Sequence, residues 1–139
     1  MRLPPPPGGE DEPWVDPLSV PVLVKDLGSG DTPEARFAAR ELRRQAERAA
    51  WTADHMAAGR ERTLEAALAL DELDRLALVP CIEALAFPRT ARSCAAVLVA
   101  LQNPAGLAPL EAAASAHGGM LGRKLTREFE RLRAVLEPT

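Results

Sequence analysis

The sequence predicts an all-α protein, and three observations carry that expectation. Hydrophobic residues fill 47% of the 139 positions but aromatic ones only 4%, with no tyrosine. Alanine and leucine therefore supply the apolar mass, whereas strands favour β-branched and aromatic residues. Apolar side chains also recur at the three-to-four-residue spacing of a helix. Finally, a proline-bearing apolar segment returns at intervals: SVPVLVKDL around Pro21, LVPCIEAL around Pro80 and LAPLEAAA around Pro109. Pro80 and Pro109 are 29 residues apart and Pro21 and Pro80 are 59 apart, close to twice that. A copy without proline, starting near Ala50, fills the gap. Three to four helix pairs, in units of about 30 residues, are the expected short α-solenoid.

Taken in order, residues 1–15 (MRLPPPPGGEDEPWV) are rich in proline, glycine and acid. They read as a disordered or polyproline-like tail, with Trp14 and Val15 packing back on the first helix. The helical domain is expected over 16–139. Asp16-Pro17 supplies an N-cap acceptor and a first-position proline. Leu18, Val22, Leu23 and Leu27 form the apolar stripe of the first helix, which Pro21 should kink and Gly28-Ser29-Gly30 should end.

Asp31 or Thr32 caps the second helix, with Pro33 and Glu34 well placed in its first turn. Its buried stripe is Ala35, Ala39, Leu42, Ala46 and Ala49, and a break is expected near Trp51–Asp54. A short piece over 53–58 leads to a helix over 61–77 with two apolar stripes. Leu64 and Leu68 form one; Ala66, Leu70, Leu73 and Ala77 form the other. Residues 78–87 should be a separate proline-bearing helix, followed by a nearly all-apolar helix over 90–102 that should be the most buried. Asn103-Pro104 stops it. Residues 107–116, a His117-Gly118-Gly119 turn and a last helix over 120–137 complete the chain, with Leu121, Leu125, Phe129, Leu132 and Leu136 facing inward.

Composition narrows the function classes. Cys81 and Cys94 lie in apolar stretches without partners at metal-ligand spacing, as expected of buried reduced thiols. Neither a signal peptide nor a span-length apolar run is present, so a cytoplasmic protein is expected. Net charge is −3, with residues 1–16 carrying −3 and the remainder neutral. That balance argues against a general nucleic-acid-binding module, which needs a basic excess. His55 and His117 stand about 60 residues apart with no H-x-x-x-H or H-E-x-x-H pattern. Asp71, Glu72 and Asp74 belong to a solvated helix face, unlike the desolvated pair that acid/base work requires. No catalytic residue, cofactor or metal site is expected, and the protein reads as a non-enzyme.

The repeating unit resembles a HEAT repeat of the short bacterial type, whose pattern is L-x-P-x-L-x-x-L-L followed by D-x-x-x-x-R-x-x-A. The first copy matches it with Val20, Pro21, Val22, Leu23 and Leu27, then Asp31, Arg36 and Ala39. The third keeps Pro80, Leu85, Arg92 and Ala95; the fourth keeps Pro109, Leu110 and Arg123. The resemblance covers residues 17–137. It implies a structural role for Asp31 and Arg36, tying neighbouring inter-helix turns, and a binding surface with no particular chemistry. A compact helical bundle is the alternative architecture.

Two arginine-bearing faces are the candidate partner-binding residues: Arg36, Arg40, Arg43 and Arg44, then Arg123, Lys124, Arg127 and Arg131. The segments 33–48 and 119–137 each hold five basic and three acidic residues. Pairs such as Arg40–Glu47 and Glu130–Arg133 would offset part of that charge. The expected function is a protein-interaction scaffold or adaptor; a nucleic-acid-binding helical repeat is the alternative. Homodimerisation through the Leu121–Leu136 stripe of the exposed terminal unit is a further expectation.

Overall fold

The computed structural model describes residues 19–54 and 60–137, all of whose regular elements are helical. The expected tail, Trp14 and Val15, the Asp16-Pro17 start, the short piece over 53–58 beyond Asp54, and His55 lie outside the described residues. Six α-helices run in order: α1 (Ser19–Leu27), α2 (Pro33–Asp54), α3 (Arg60–Ala84), α4 (Pro88–Leu101), α5 (Leu107–His117) and α6 (Gly119–Leu136). A 3-10 turn over Pro104–Gly106 precedes α5.

Helix α1 buries Val20, Leu23 and Leu27, while Val22, expected on that stripe, is more than half exposed. Pro21 is the third described residue of α1. Thr32 is the cap of α2, its hydroxyl accepting from the Ala35 N–H at 3.1 Å. The expected stripe of α2 is buried throughout, and Thr52 extends it. The described helix ends at Asp54, within the range of the expected break. Ala-dominated contacts let the helices approach closely.

The larger departure lies in α3. The sequence pattern predicts two helices over 61–77 and 78–87, but one helix runs through Pro80. Ala77 and Cys81 are both buried and share one helix face, so the core stripe continues across the expected boundary. No glycine or capping residue stands at Ala77-Leu78 to stop it. The two-stripe expectation for this helix is also corrected: Ala66, Leu73 and Ala77 are buried, but Leu64 and Leu68 are 56% and 68% exposed.

The packing partners fall into a simple order. Helix α2 packs on α4 and α4 on α6, while α1 packs on α3; α1–α2, α3–α4 and α5–α6 are the sequential pairs. Helix α4 is central and buries nine of its fourteen residues, including Cys94 through Leu98. Leu125 and Leu132 of α6 are fully buried, with Leu121, Phe129 and Leu136 partly covered beside them.

Side-chain bonds tie the turns together. Asp31, between α1 and α2, accepts from the Arg89 backbone N–H at 3.3 Å, and the Arg89 guanidinium lies 3.8 Å away. Thr90 donates to the Ala84 carbonyl at 2.7 Å, closing the α3–α4 turn. Asn103 donates to both carboxylate oxygens of Asp74 on α3, at 3.0 and 3.2 Å, and accepts from the Ala105 N–H at 2.9 Å. His117, at the end of α5, donates from Nε2 to the Leu85 carbonyl at 2.6 Å.

Candidate anion-binding groove

The N-terminal portions of α2, α4 and α6 line one hollow of about 530 Å³. Its wall holds Arg36, Arg40 and Arg43 from α2, Arg89 and Arg92 from α4, and Lys124 from α6. Among the described residues, no aspartate or glutamate lines it. An adjoining hollow of about 610 Å³ shares Arg36, Arg40 and Arg89 and adds Arg44, Glu41 and Phe37. Together they form one groove across the helix starts.

Local sequence explains the placement. The buried stripe of α2 turns Arg36, Arg40 and Arg43 away from the core at successive turns, while Ala35, Ala39 and Leu42 are buried. In α4 the burial is nearly continuous after Arg92, so Arg89 and Arg92 hold the exposed face of its first turns. Helix α4 and helix α6 carry no acidic residue in their first turns. Arg89, in the first turn of α4, opposes the positive end of that helix dipole by about 0.3–1 kcal/mol, whereas no cation stands in the first turn of α6. Folding energetics gives no reason for that choice.

Ion pairing leaves much of this charge uncompensated. Arg43 bonds Glu47 at 2.6 Å, and Arg89 is shared with Asp31. Among the described residues, Arg36, Arg40, Arg92 and Lys124 have no ion pair. The expected Arg40–Glu47 pairing is corrected, since Glu47 lies one turn from Arg43 and bonds it instead. Likewise Arg131 pairs with Glu128 at 2.8 Å, and among the described residues no Glu130–Arg133 bridge forms.

The two expected arginine faces are thus brought together in part. Arg36, Arg40, Arg43 and Lys124 meet in the main hollow. Arg44 borders the adjoining one, where its Nε bonds Glu41 at 2.9 Å. Arg131 lies at the opposite end of the same helices, in a small hollow with Arg43, Glu47, Asp54 and Glu128. Arg123 and Arg127 are exposed and line neither. Sequence reasoning missed Arg89 and Arg92, because the apolar run behind them marks α4 as a core helix. The proline turn just before Arg89 was the available signal: it sets both arginines at the same helix end as Arg36.

Along this three-helix face the lining therefore changes from the cation-only main hollow near the helix starts to a mixed one at their ends. Phe37 and Met120, 66% and 65% exposed, add apolar surface to the positive end. Among the described residues, no three His, Cys, Asp or Glu side chains gather as metal ligands. Nor is any described helix long and apolar enough to cross a membrane. The thiols of Cys81 and Cys94 are free and buried; the Cys94 S–H, donating towards Cys81, and burial hold its proton and push its titration far above the ordinary range. No family model, curated protein or solved structure matches this chain.

Proposed function

We propose that this protein is a non-enzymatic interaction scaffold, a short α-solenoid of HEAT-like helix pairs, that holds an acidic segment of a partner protein across the starts of α2, α4 and α6. The pairs are α1/α2, α3/α4 and α5/α6. The chain of contacts from α2 to α4 to α6 supports this architecture, as do the ties from Asp31 to Arg89 and from Asp74 to Asn103. Asp31 thereby fills the turn-linking role that the repeat resemblance implies, whereas Arg36 faces the groove.

The observation that carries the function is the six-cation hollow with no described carboxylate in its wall. An acidic peptide would relieve the mutual repulsion of these side chains. Phe37 beside Arg36 and Arg40 favours a second reading, in which a nucleic-acid base stacks on the ring. Against it, the surface at the other end of the face is mixed in charge and offers a long polyanion no continuous basic track.

Fluorescence anisotropy with a labelled glutamate-rich decapeptide tests the proposal, with a single-stranded oligonucleotide of equal charge beside it. The peptide should bind, weaken with salt, and lose at least tenfold in affinity to an Arg40→Glu/Arg92→Glu variant. No peptide binding at low salt would overturn the proposal, and tighter binding of the oligonucleotide would move the function to the second reading.

A further inference from the structure

We infer that the main hollow is a phosphate-recognition site, and that its ligand is a phosphorylated serine or threonine within the acidic partner segment. This rests on the scaffold reading above and specifies the chemistry at its centre. Four cations without an ion pair among the described residues, Arg36, Arg40, Arg92 and Lys124, stand around one cavity with Arg89 beside them. A single carboxylate brings one negative charge to this set. A phosphate monoester brings about −1.5 to −2 and three acceptor oxygens.

The side-chain types also discriminate. Four of these five cations are arginines, whose planar forks bind phosphate oxygens in pairs, whereas lysine acts as a point charge. Arg36 and Arg40 stand one turn apart on α2, and Arg89 and Arg92 stand one turn apart on α4. Two pairs of forks therefore line the same hollow from two helices, with Lys124 supplied by a third. Ser93, 9% exposed, adds a hydroxyl to the wall.

The remaining lining selects a peptide as the carrier. Pro88, Met120 and Leu121 share the hollow with the cations, so residues flanking the phosphate would meet apolar surface. A nucleic-acid strand presents a charge at every nucleotide. Continuing along this face, it would leave the cations for a mixed surface where Glu47 and Glu128 already hold Arg43 and Arg131 and Asp54 adds a further carboxylate. A peptide with one central dianion would not.

The test uses the full chain and three decapeptides of one acidic sequence, with phosphoserine, glutamate or serine at the centre, measured by anisotropy. The phosphoserine peptide should bind at least tenfold more tightly than the glutamate peptide. An Arg92→Lys variant keeps the charge but loses the fork. It should reduce that preference below threefold, read as the ratio of the two peptide affinities measured on the same variant. Arg92 is exposed, so the variant should fold, and circular dichroism checks that it does. Equal affinity for the phosphoserine and glutamate peptides would overturn the phosphate site and leave the scaffold reading standing. Binding of no peptide would overturn both. Tighter binding to an oligonucleotide, or to vesicles containing a phosphoinositide, would also overturn the inference by assigning the phosphate to a different carrier.

Discussion

Replacing Gly122 by alanine sets two effects of opposite sign against each other. Gly122 lies in the second turn of α6, inside the helix and buried. Propensity alone favours the change, since glycine in a helix interior is about 0.8–1 kcal/mol worse than alanine. The structure predicts the reverse. A Cβ at this position would stand 2.7 Å from the Ala114 carbonyl oxygen of α5, where ordinary contact begins near 3.4 Å. That atom is backbone, so relief requires α5 to retreat by about 0.7 Å rather than a side chain to turn. Overpacking of this kind costs typically ~1–3 kcal/mol, which exceeds the propensity gain in most of its range. The net expectation is a loss of about 1 kcal/mol, read as a lower urea midpoint with an unchanged slope. Gly119→Ala is the companion measurement. Its φ of 58° imposes left-handed strain, but no atom lies within 4 Å of the new Cβ. Gly119→Asn should therefore recover part of that loss, because asparagine tolerates this conformation. No conservative replacement should rescue Gly122. A midpoint that rises in Gly122→Ala would refute the close α5–α6 approach.

Two further outcomes rest on side chains that bridge elements. Asn103→Ala removes both the cap on the Ala105 N–H and the bond to Asp74, so a loss of about 1–2 kcal/mol is expected. A thermal midpoint lower by roughly 3–8 °C would agree with that, and an unchanged one would deny the tie. Cys94 predicts a pH dependence. Its thiol is raised above the ordinary value of 9.0 by its bond with Cys81 and by burial, so the folded state holds a proton that the unfolded state releases. Stability from this group is thus full below about pH 9 and declines as pH rises beyond it, with a limiting slope of about 1.4 kcal/mol per pH unit. Urea midpoints measured from pH 8 to 10 should fall more steeply in wild type than in Cys94→Ala. Equal slopes would show that the thiol is not held protonated. Neither cysteine should react with a thiol reagent until the chain unfolds.

The helices were legible in the sequence because their signals are local. The alanine stripe of α2 and the Asn103-Pro104 stop are each contained within a few turns, and both appear where the spacing puts them. Where the reading failed, a local signal was overruled by packing. Pro80 resembles Pro109 in its neighbours, yet Pro109 is the third residue of α5 and Pro80 sits deep inside α3. A proline in the first turn and a proline in mid-helix share a sequence context; only the buried contacts of Ala77 and Cys81 separate them. The same holds for Leu64 and Leu68. Their spacing is that of a buried stripe, but no described helix covers them.

The groove was half legible for a related reason. Within α6 the helical wheel alone divides the basic residues. At about 100° per residue, Arg123 and Arg127 fall roughly opposite the buried Leu125, whereas Lys124 and Arg131 flank it on one side. That rotation explains why Lys124 reaches the hollow, Arg131 lies near the other end of the face, and Arg123 and Arg127 line neither. Joining Lys124 to Arg40 and Arg92 is a different matter. These residues stand 84 and 32 positions apart along the chain, and only the order of α2, α4 and α6 brings them to one cavity. Once that order is known, arginines scattered over three helices become a single charge cluster. Their mutual repulsion within one hollow makes the cluster unfavourable without an anion, which is the physical ground for expecting one there.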